Sequence, residues 1–261
     1  MLKRVLKTGI WLLTLAAVIA FEFYALQQNN ETNCKEIHVK IKNKNNIPLL
    51  TSEKELKTNL LQNYLPIEGQ KIKNLSLKQI EKNIGDLSYL NKHDAYFQVN
   101  GNLNIIATPR KAVVRIYNEA GQHFYLGADT VVMPLAPQHS IRLLTANGNI
   151  KPIDQNFFKN GHKDFAELPK IYKKIYNLAS KIQEDEFLNA LIDQIYVNQE
   201  QEFELIPKAG VGLIVFGNLD QAEDKLKRLK NFYIEGKDKI NWDIYKSINL
   251  KYTNQVVCTK K

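Results

Sequence analysis

Cysteine is almost missing from this sequence. Only Cys34 and Cys258 occur in 261 residues, too few for a disulfide-built scaffold. The two thiols could pair only if both ends meet in an oxidising exterior. Both lie in strand-like runs and read more simply as small buried hydrophobes. Blocks of five or six basic residues are missing too. The formal charge is +9, but it is scattered, so nucleic-acid binding has little support; the excess slightly favours nearness to an anionic membrane surface. No repeat period and no low-complexity tract occurs, which excludes a solenoid or a long disordered tail.

Catalytic signatures are equally scarce. His38, His93, His123, His139 and His162 form no i,i+4 pair and stand beside no ligand cluster at zinc spacing. There is no G-x-S-x-G, and a dispersed Asp, Ser and His triad would leave no mark in sequence. Gly210-Val-Gly212 opens a strand, Val211 to Phe216, instead of joining a strand to a helix, so it lacks the context of a dinucleotide site. Asp86, Asp94, Asp129 and Asp164 are isolated at turns and ends, with no partner carboxylate for acid–base work. Asp220, Glu223 and Asp224 with Lys225, Lys227 and Arg228 read as a solvated helix face, with partner contacts as the alternative. No catalytic residue, metal ligand, cofactor, small-molecule substrate or nucleic acid is therefore expected.

What is present first is a long apolar run, IWLLTLAAVIAFEFYAL over Ile10 to Leu26, behind Lys3, Arg4 and Lys7. A helical membrane anchor is expected at 9–26, contacting the lipid bilayer, with a cytoplasmic tail at 1–8. A cleaved signal peptide is the alternative, but Phe21, Phe23 and Tyr24 are bulky where small residues would be wanted. Gln27 to Asn33 reads as a polar tether.

Beyond it, Ile37, Val39 and Ile41 alternate with polar residues as a strand does. Ser52 and Glu55 form a capping-box pattern before Leu56 and Leu60, and Ser76 with Gln79 precedes Leu77, Ile80, Ile84 and Leu87. Two further strands, around Tyr96 to Val99 and Leu103 to Ile105, flank Asn100-Gly101, a hairpin dipeptide. The order strand, helix, helix, strand, strand over 34–110 predicts a three-stranded sheet covered on one face by two helices. The remainder, 111–261, predicts a mixed, β-rich domain with several antiparallel strands and two helices, at Leu168 to Ile182 and after Asn218. Phe187 to Ile195 fits either helix or strand. The fold class is α+β. The final run, Ile248 to Cys258, reads as one long strand. At a sheet edge its free backbone groups could pair with a partner strand, with Tyr252 as the anchor; an ordinary core strand is the plainer reading.

In this order the elements resemble the cell division family FtsQ/DivIB, in its Bacteroidetes-like form. Cys34-Lys-Glu-Ile-His-Val-Lys-Ile41 resembles the first strand of a POTRA domain. Gly101 to Ile116 resembles the passage from POTRA into the second, β domain. Phe124-Tyr-Leu126 with Met133-Pro-Leu135, Phe203-Glu-Leu-Ile-Pro207 with Gly217, and Asn249 to Val257 resemble later stretches. Asn249 stands where the family has Asp, and Lys251 where it has Arg; Gly127-Ala-Asp129 departs from the family's Asp and Gly order. The resemblance implies a POTRA-like βααββ domain and a non-enzymatic divisome scaffold on the outer side of the cytoplasmic membrane, enriched at the septum. It implies FtsB/FtsL-like coiled-coil partners and other divisome membrane proteins. It places partner binding on Lys251, Tyr252, Thr253, Asn254, Gln255, Val256 and Val257. A POTRA-bearing assembly or secretion factor is the nearest rival, and a membrane-tethered enzyme the next.

Overall fold

A computed structural model describes the chain except residues 1, 45, 64–65, 137–138, 140, 155–164, 211 and 237–238; at 2–9, 25–31 and 63 it describes backbone alone. His162, Asp164 and Val211 therefore lie outside the described residues. The chain divides into one unit made of Met1–Asn45 with Thr51–Pro109, and another made of Asn46–Leu50 with Arg110–Lys261.

The first unit begins with helix α1 (Leu2–Glu31). Here the sequence expectation needs correcting. Among the described residues no helix is long and apolar enough to cross a membrane, so neither the anchor at 9–26 nor its bilayer contact is supported. The apolar stretch that begins at Ile10 follows the charged Lys3, Arg4 and Lys7. Glu22 interrupts that apolar stretch. Its large side chains, Trp11, Leu13 and Phe21 among them, are exposed.

After α1 come β1 (Ile37–Ile41), α2 (Glu53–Asn63), α3 (Leu77–Gly85), β2 (Leu90–Phe97) and β3 (Leu103–Pro109). The sheet order is β1-β3-β2, with β1 parallel and β2 antiparallel to β3. Both halves of the capping box form at α2. Glu55 N–H donates to Ser52 Oγ at 3.2 Å, and Ser52 N–H donates to Glu55 Oε2 at 2.8 Å. At α3 only Ser76 Oγ caps, accepting from Gln79 N–H at 3.3 Å, because the Gln79 amide turns to Asn83. Leu56, Leu60, Ile80 and Ile84 from the helices meet Ile37, Leu103, Ile105 and Ala107 of the sheet in one core. Each such Leu or Ile contributes about 2 kcal/mol through its removal from water. The chain reverses at the expected Asn100-Gly101, where Gln98 N–H donates to Asn102 O at 2.8 Å. β2 starts earlier than the alternation indicates, because Asn91, Lys92 and Asp94 on this edge strand are all exposed and hide its period.

The second unit holds β4 (Ala112–Tyr117), β5 (His123–Gly127), β6 (Val132–Met133), β7 (Thr145–Gly148), α4 (Lys170–Glu184), α5 (Glu186–Leu191), β8 (Ile192–Val197), β9 (Phe203–Pro207), β10 (Leu213–Gly217), α6 (Ala222–Gly236), β11 (Tyr245–Asn249) and β12 (Val257–Lys260). The nine strands make one sheet, ordered β12-β11-β10-β9-β8-β7-β4-β5-β6. It is less antiparallel than expected: β4/β7, β7/β8 and β10/β11 are parallel pairs. The ambiguous stretch after Phe187 is both things in turn, a short helix and then β8.

α4 buries Tyr172, Ile175, Leu178, Ala179 and Ile182 along one stripe. They join Val114, Ile116, Ile195, Leu205, Ile214 and Ile248 in a single core. Asp185 ends α4 and starts α5. Its Oδ1 accepts from Leu188 N–H at 3.0 Å, and its Oδ2 pairs with Lys230 Nζ of α6 at 2.6 Å. At the end of β7, Gly148 has φ +99°, and a Cβ there would stand 2.3 Å from Val197 O. Only glycine allows β7 and β8 to approach so closely at that point.

Candidate functional site

The end of the chain is a hairpin on the sheet's outermost position. The long strand expected over Ile248 to Cys258 is instead two strands with a turn between them. β11 stops at Asn249, residues 250–256 form the connection, and β12 returns antiparallel, pairing Asn249 with Val257 and Ile248 with Cys258. Of the seven residues expected to bind a partner, only Val257 lies in a strand. Lys251, Tyr252, Thr253, Asn254, Gln255 and Val256 belong to the connection. The reversal uses Asn254 at φ +57°, a left-handed conformation that Asn tolerates better than most residues.

Arg228, Lys251 and Leu250 hold this connection. The Arg228 guanidinium, projecting from α6, donates to the carbonyls of Tyr252 at 2.8 Å, Leu250 at 3.3 Å, and Gln255. Arg228 is held in turn by Asp224, one helical turn back, at 2.9 Å. Lys251 Nζ pairs with Glu202 Oε2 at 2.7 Å, and that contact raises the lysine pKa. Beneath the lysine stem lies Gly217 at φ +79°, where a Cβ would come within 2.8 Å of Lys251 Cγ. The loop is thus fixed while Tyr252 remains 51% exposed. Leu250 is fully buried and nails the loop to the core.

Two inward-turned cations were hidden in the charged face of α6. Arg228 is one. The other is Lys225, which is buried and donates through Nζ to Asn218 O at 2.9 Å and to Asn218 Oδ1 at 3.2 Å. Burial depresses the Lys225 pKa, and its ammonium also lies 5.2 Å from the Phe216 ring centroid. The signal was positional: both flank the stripe Ala222, Leu226, Leu229, Tyr233, so neither can face fully into water.

The outer side of β12 is the open end of the nine-stranded order. Val257 is 38% exposed there, and Thr259 and Lys260 are exposed. The opposite edge, β6, has two residues and is stopped by Pro134, which cannot donate to a ladder. In the first unit, the edge of β1 is occupied by carboxylates. Ile41 N–H donates to Glu53 Oε1 at 2.8 Å, and Ile37 N–H donates to Glu68 Oε1 at 3.3 Å. The β2 edge carries exposed Lys92 and Asp94, side chains that oppose edge pairing.

Several other singled-out residues have local partners. His38 sits 3.0 Å from Glu36, and His123 meets the Tyr117 ring edge-on. Asp129 pairs with the buried Arg110 at 2.7 Å. Gly210 lies against the Tyr233 ring. Cys34 and Cys258 are free thiols. Among the described residues no three metal-ligand side chains come together.

Residues 111–259 match the family model described as FtsQ/DivIB, C-terminal related, and residues 32–108 match that described as POTRA-like domain. No curated protein matches the chain.

Proposed function

The chain belongs to the FtsQ/DivIB C-terminal-related family of cell division proteins, and we propose that it is a non-enzymatic divisome scaffold that docks its partners on the β12 edge. On this reading it works at the septum, on the outer side of the cytoplasmic membrane. It links early and late division proteins there by holding FtsB/FtsL-like coiled-coil partners. The observation that carries the reading is the contrast of edges. β12 offers an open ladder beside a clamped loop that presents Tyr252, whereas β6 is two residues long and ends at proline. A partner segment can add as a further strand. Main-chain hydrogen bonds then supply affinity, and the Tyr252 ring and Val257 supply selectivity. Because the loop is already fixed, little ordering entropy opposes binding.

The test is capture of an FtsB-like partner by the full-length chain, by Tyr252→Ala, and by a chain ending after Val256. Ending there keeps Leu250 in the core. Loss of capture by the shortened chain, with thermal unfolding still cooperative, supports the edge. Undiminished capture by both variants refutes it.

A further inference from the structure

β1 is an edge strand, and the chain itself covers its free side. Leu103 N–H donates to Glu36 O at 2.9 Å and Lys42 N–H donates to Ala107 O at 2.8 Å, so the even-numbered residues serve the β3 ladder. The backbone groups of Ile37, Val39 and Ile41 therefore point away from the sheet. Ile41 N–H donates to Glu53 Oε1 at 2.8 Å, and Ile37 N–H donates to Glu68 Oε1 at 3.3 Å. Just before the strand, Cys34 N–H donates to Gln70 O and Gly69 N–H to Cys34 O, both at 2.7 Å.

The two glutamates come from outside the sheet. Glu53 opens α2, and Glu68 follows its end. Lys57 of α2 holds Glu68 at 3.0 Å. The hydrogen bond from Lys57 also lowers the Glu68 pKa, so the carboxylate is ionised at neutral pH. Water can satisfy N–H groups at a sheet edge, so satisfaction alone does not call for two charged acceptors. An uncovered row of edge groups, by contrast, is a template for another strand.

What the cover excludes is written in β1. Ile37 lies in the core, and Val39 and Ile41 pack against it, so all three side chains share the helix-covered face. A second β1 laid antiparallel about Val39 sets Ile37 against the second copy's Ile41 at both ends, and Val39 against itself. Each of these pairs exchanges two main-chain hydrogen bonds, and the apolar side chains stay on one face. Both ends then need one amide held by Glu53 and one held by Glu68.

We propose that β1 is a latent self-association edge, kept shut by Glu53 and Glu68, which occupy the ladder positions that a second copy's β1 would take. The device involves no β12 residue, so it neither rests on nor decides the edge-docking reading.

Sedimentation equilibrium and hydrogen–deuterium exchange on the full-length chain test it, with wild type and variants in the same buffer. Glu53→Ala with Glu68→Ala should self-associate at least about tenfold more tightly than wild type, and the Ile37, Val39 and Ile41 amides should exchange at least about tenfold more slowly. Each single alanine variant should stay close to wild type, because the remaining glutamate still holds one amide at both ends. Glu53→Gln with Glu68→Gln keeps both acceptors and should also behave as wild type. If the double alanine chain loses cooperative unfolding, Glu53→Asp with Glu68→Asp makes the same test, each side chain being one methylene too short to reach its amide. Hydrogen bonds with a structural role alone predict the opposite sign, faster exchange at 37–41 with unchanged mass. That result would overturn the proposal. So would association that protects 257–260 instead of 37–41, or a double glutamine chain that associates as tightly as the double alanine chain.

Discussion

Removing the Arg228 fork should loosen the hairpin without unfolding the domain. In Arg228→Ala the carbonyls of Leu250, Tyr252 and Gln255 lose their common donor, and Asp224 loses its partner. Hydrogen bonds to a charged group contribute about 1.5–3 kcal/mol each when dry. The loop is exposed, so water recovers much of that loss and a net of about 1–2 kcal/mol remains. That deficit falls on local opening of residues 250–260. It should speed amide exchange there about tenfold or somewhat more, with β8 and β9 unaffected. The midpoint of thermal unfolding should fall by no more than about 4–8 °C. Arg228→Lys keeps the charge beside Asp224 but cannot serve three carbonyls, so its exchange rates should lie between the two. Hydrogen–deuterium exchange read by mass spectrometry resolves these cases. Unchanged exchange over 250–260 in Arg228→Ala would refute the clamp. So would an acceleration spread evenly over the whole sheet.

Asp185 carries a pH signature. The hydrogen bond from Lys230 is the main cause of its lowered pKa, so its stabilising effect is complete above the unfolded carboxylate value of about 3.9 and is lost as pH falls through the lower folded value. Asp185→Asn should flatten the acid limb of a stability–pH curve in that window and leave its shape above about pH 5 unchanged; an acid limb identical to wild type contradicts the assignment. Gly148→Ala should cost about 3 kcal/mol or more, since the methyl would run into the Val197 backbone at a positive φ; denaturant midpoints measure it, and a loss below about 1 kcal/mol would mean the strands move apart freely. Leu205→Ala, at a fully buried site in β9, should cost about 2–5 kcal/mol in the same assay, and a smaller loss would show that the core collapses around the gap.

The first unit was largely legible because its signals are local. Ser52 with Glu55, Ser76, the stripe through Ile80 and Ile84, and Asn100-Gly101 each act within a few residues, and the structure uses each of them. The second unit was less so. β7 is four residues, Thr145–Gly148, and its two parallel neighbours come from distant parts of the chain, which no local alternation reveals. The hairpin was read as one strand because Lys251, Thr253 and Gln255 continue the polar half of the alternation. The residues that bend the chain there, Arg228 and Glu202, are far away in sequence. The apolar run from Ile10 misled in another way. Its composition suits lipid, but among the described residues no helix is long and apolar enough to cross a membrane.

The sheet order has a consequence for assembly of the second unit. β4 to β7 and β8 to β12 are each continuous in sequence, and each set occupies its own half of the sheet. The halves meet at one seam, the parallel β7/β8 ladder from Thr145/Gln194 to Gly148/Val197. Hairpins close early because their partners are near neighbours, whereas the seam must wait for a loop of more than forty residues, α4 included, to bring its sides together. Until then both half-sheets present raw inner margins lined by Ala146 and Ile195, residues that end up with no exposure at all. Crowded, half-made molecules would find each other there sooner than at the finished rim.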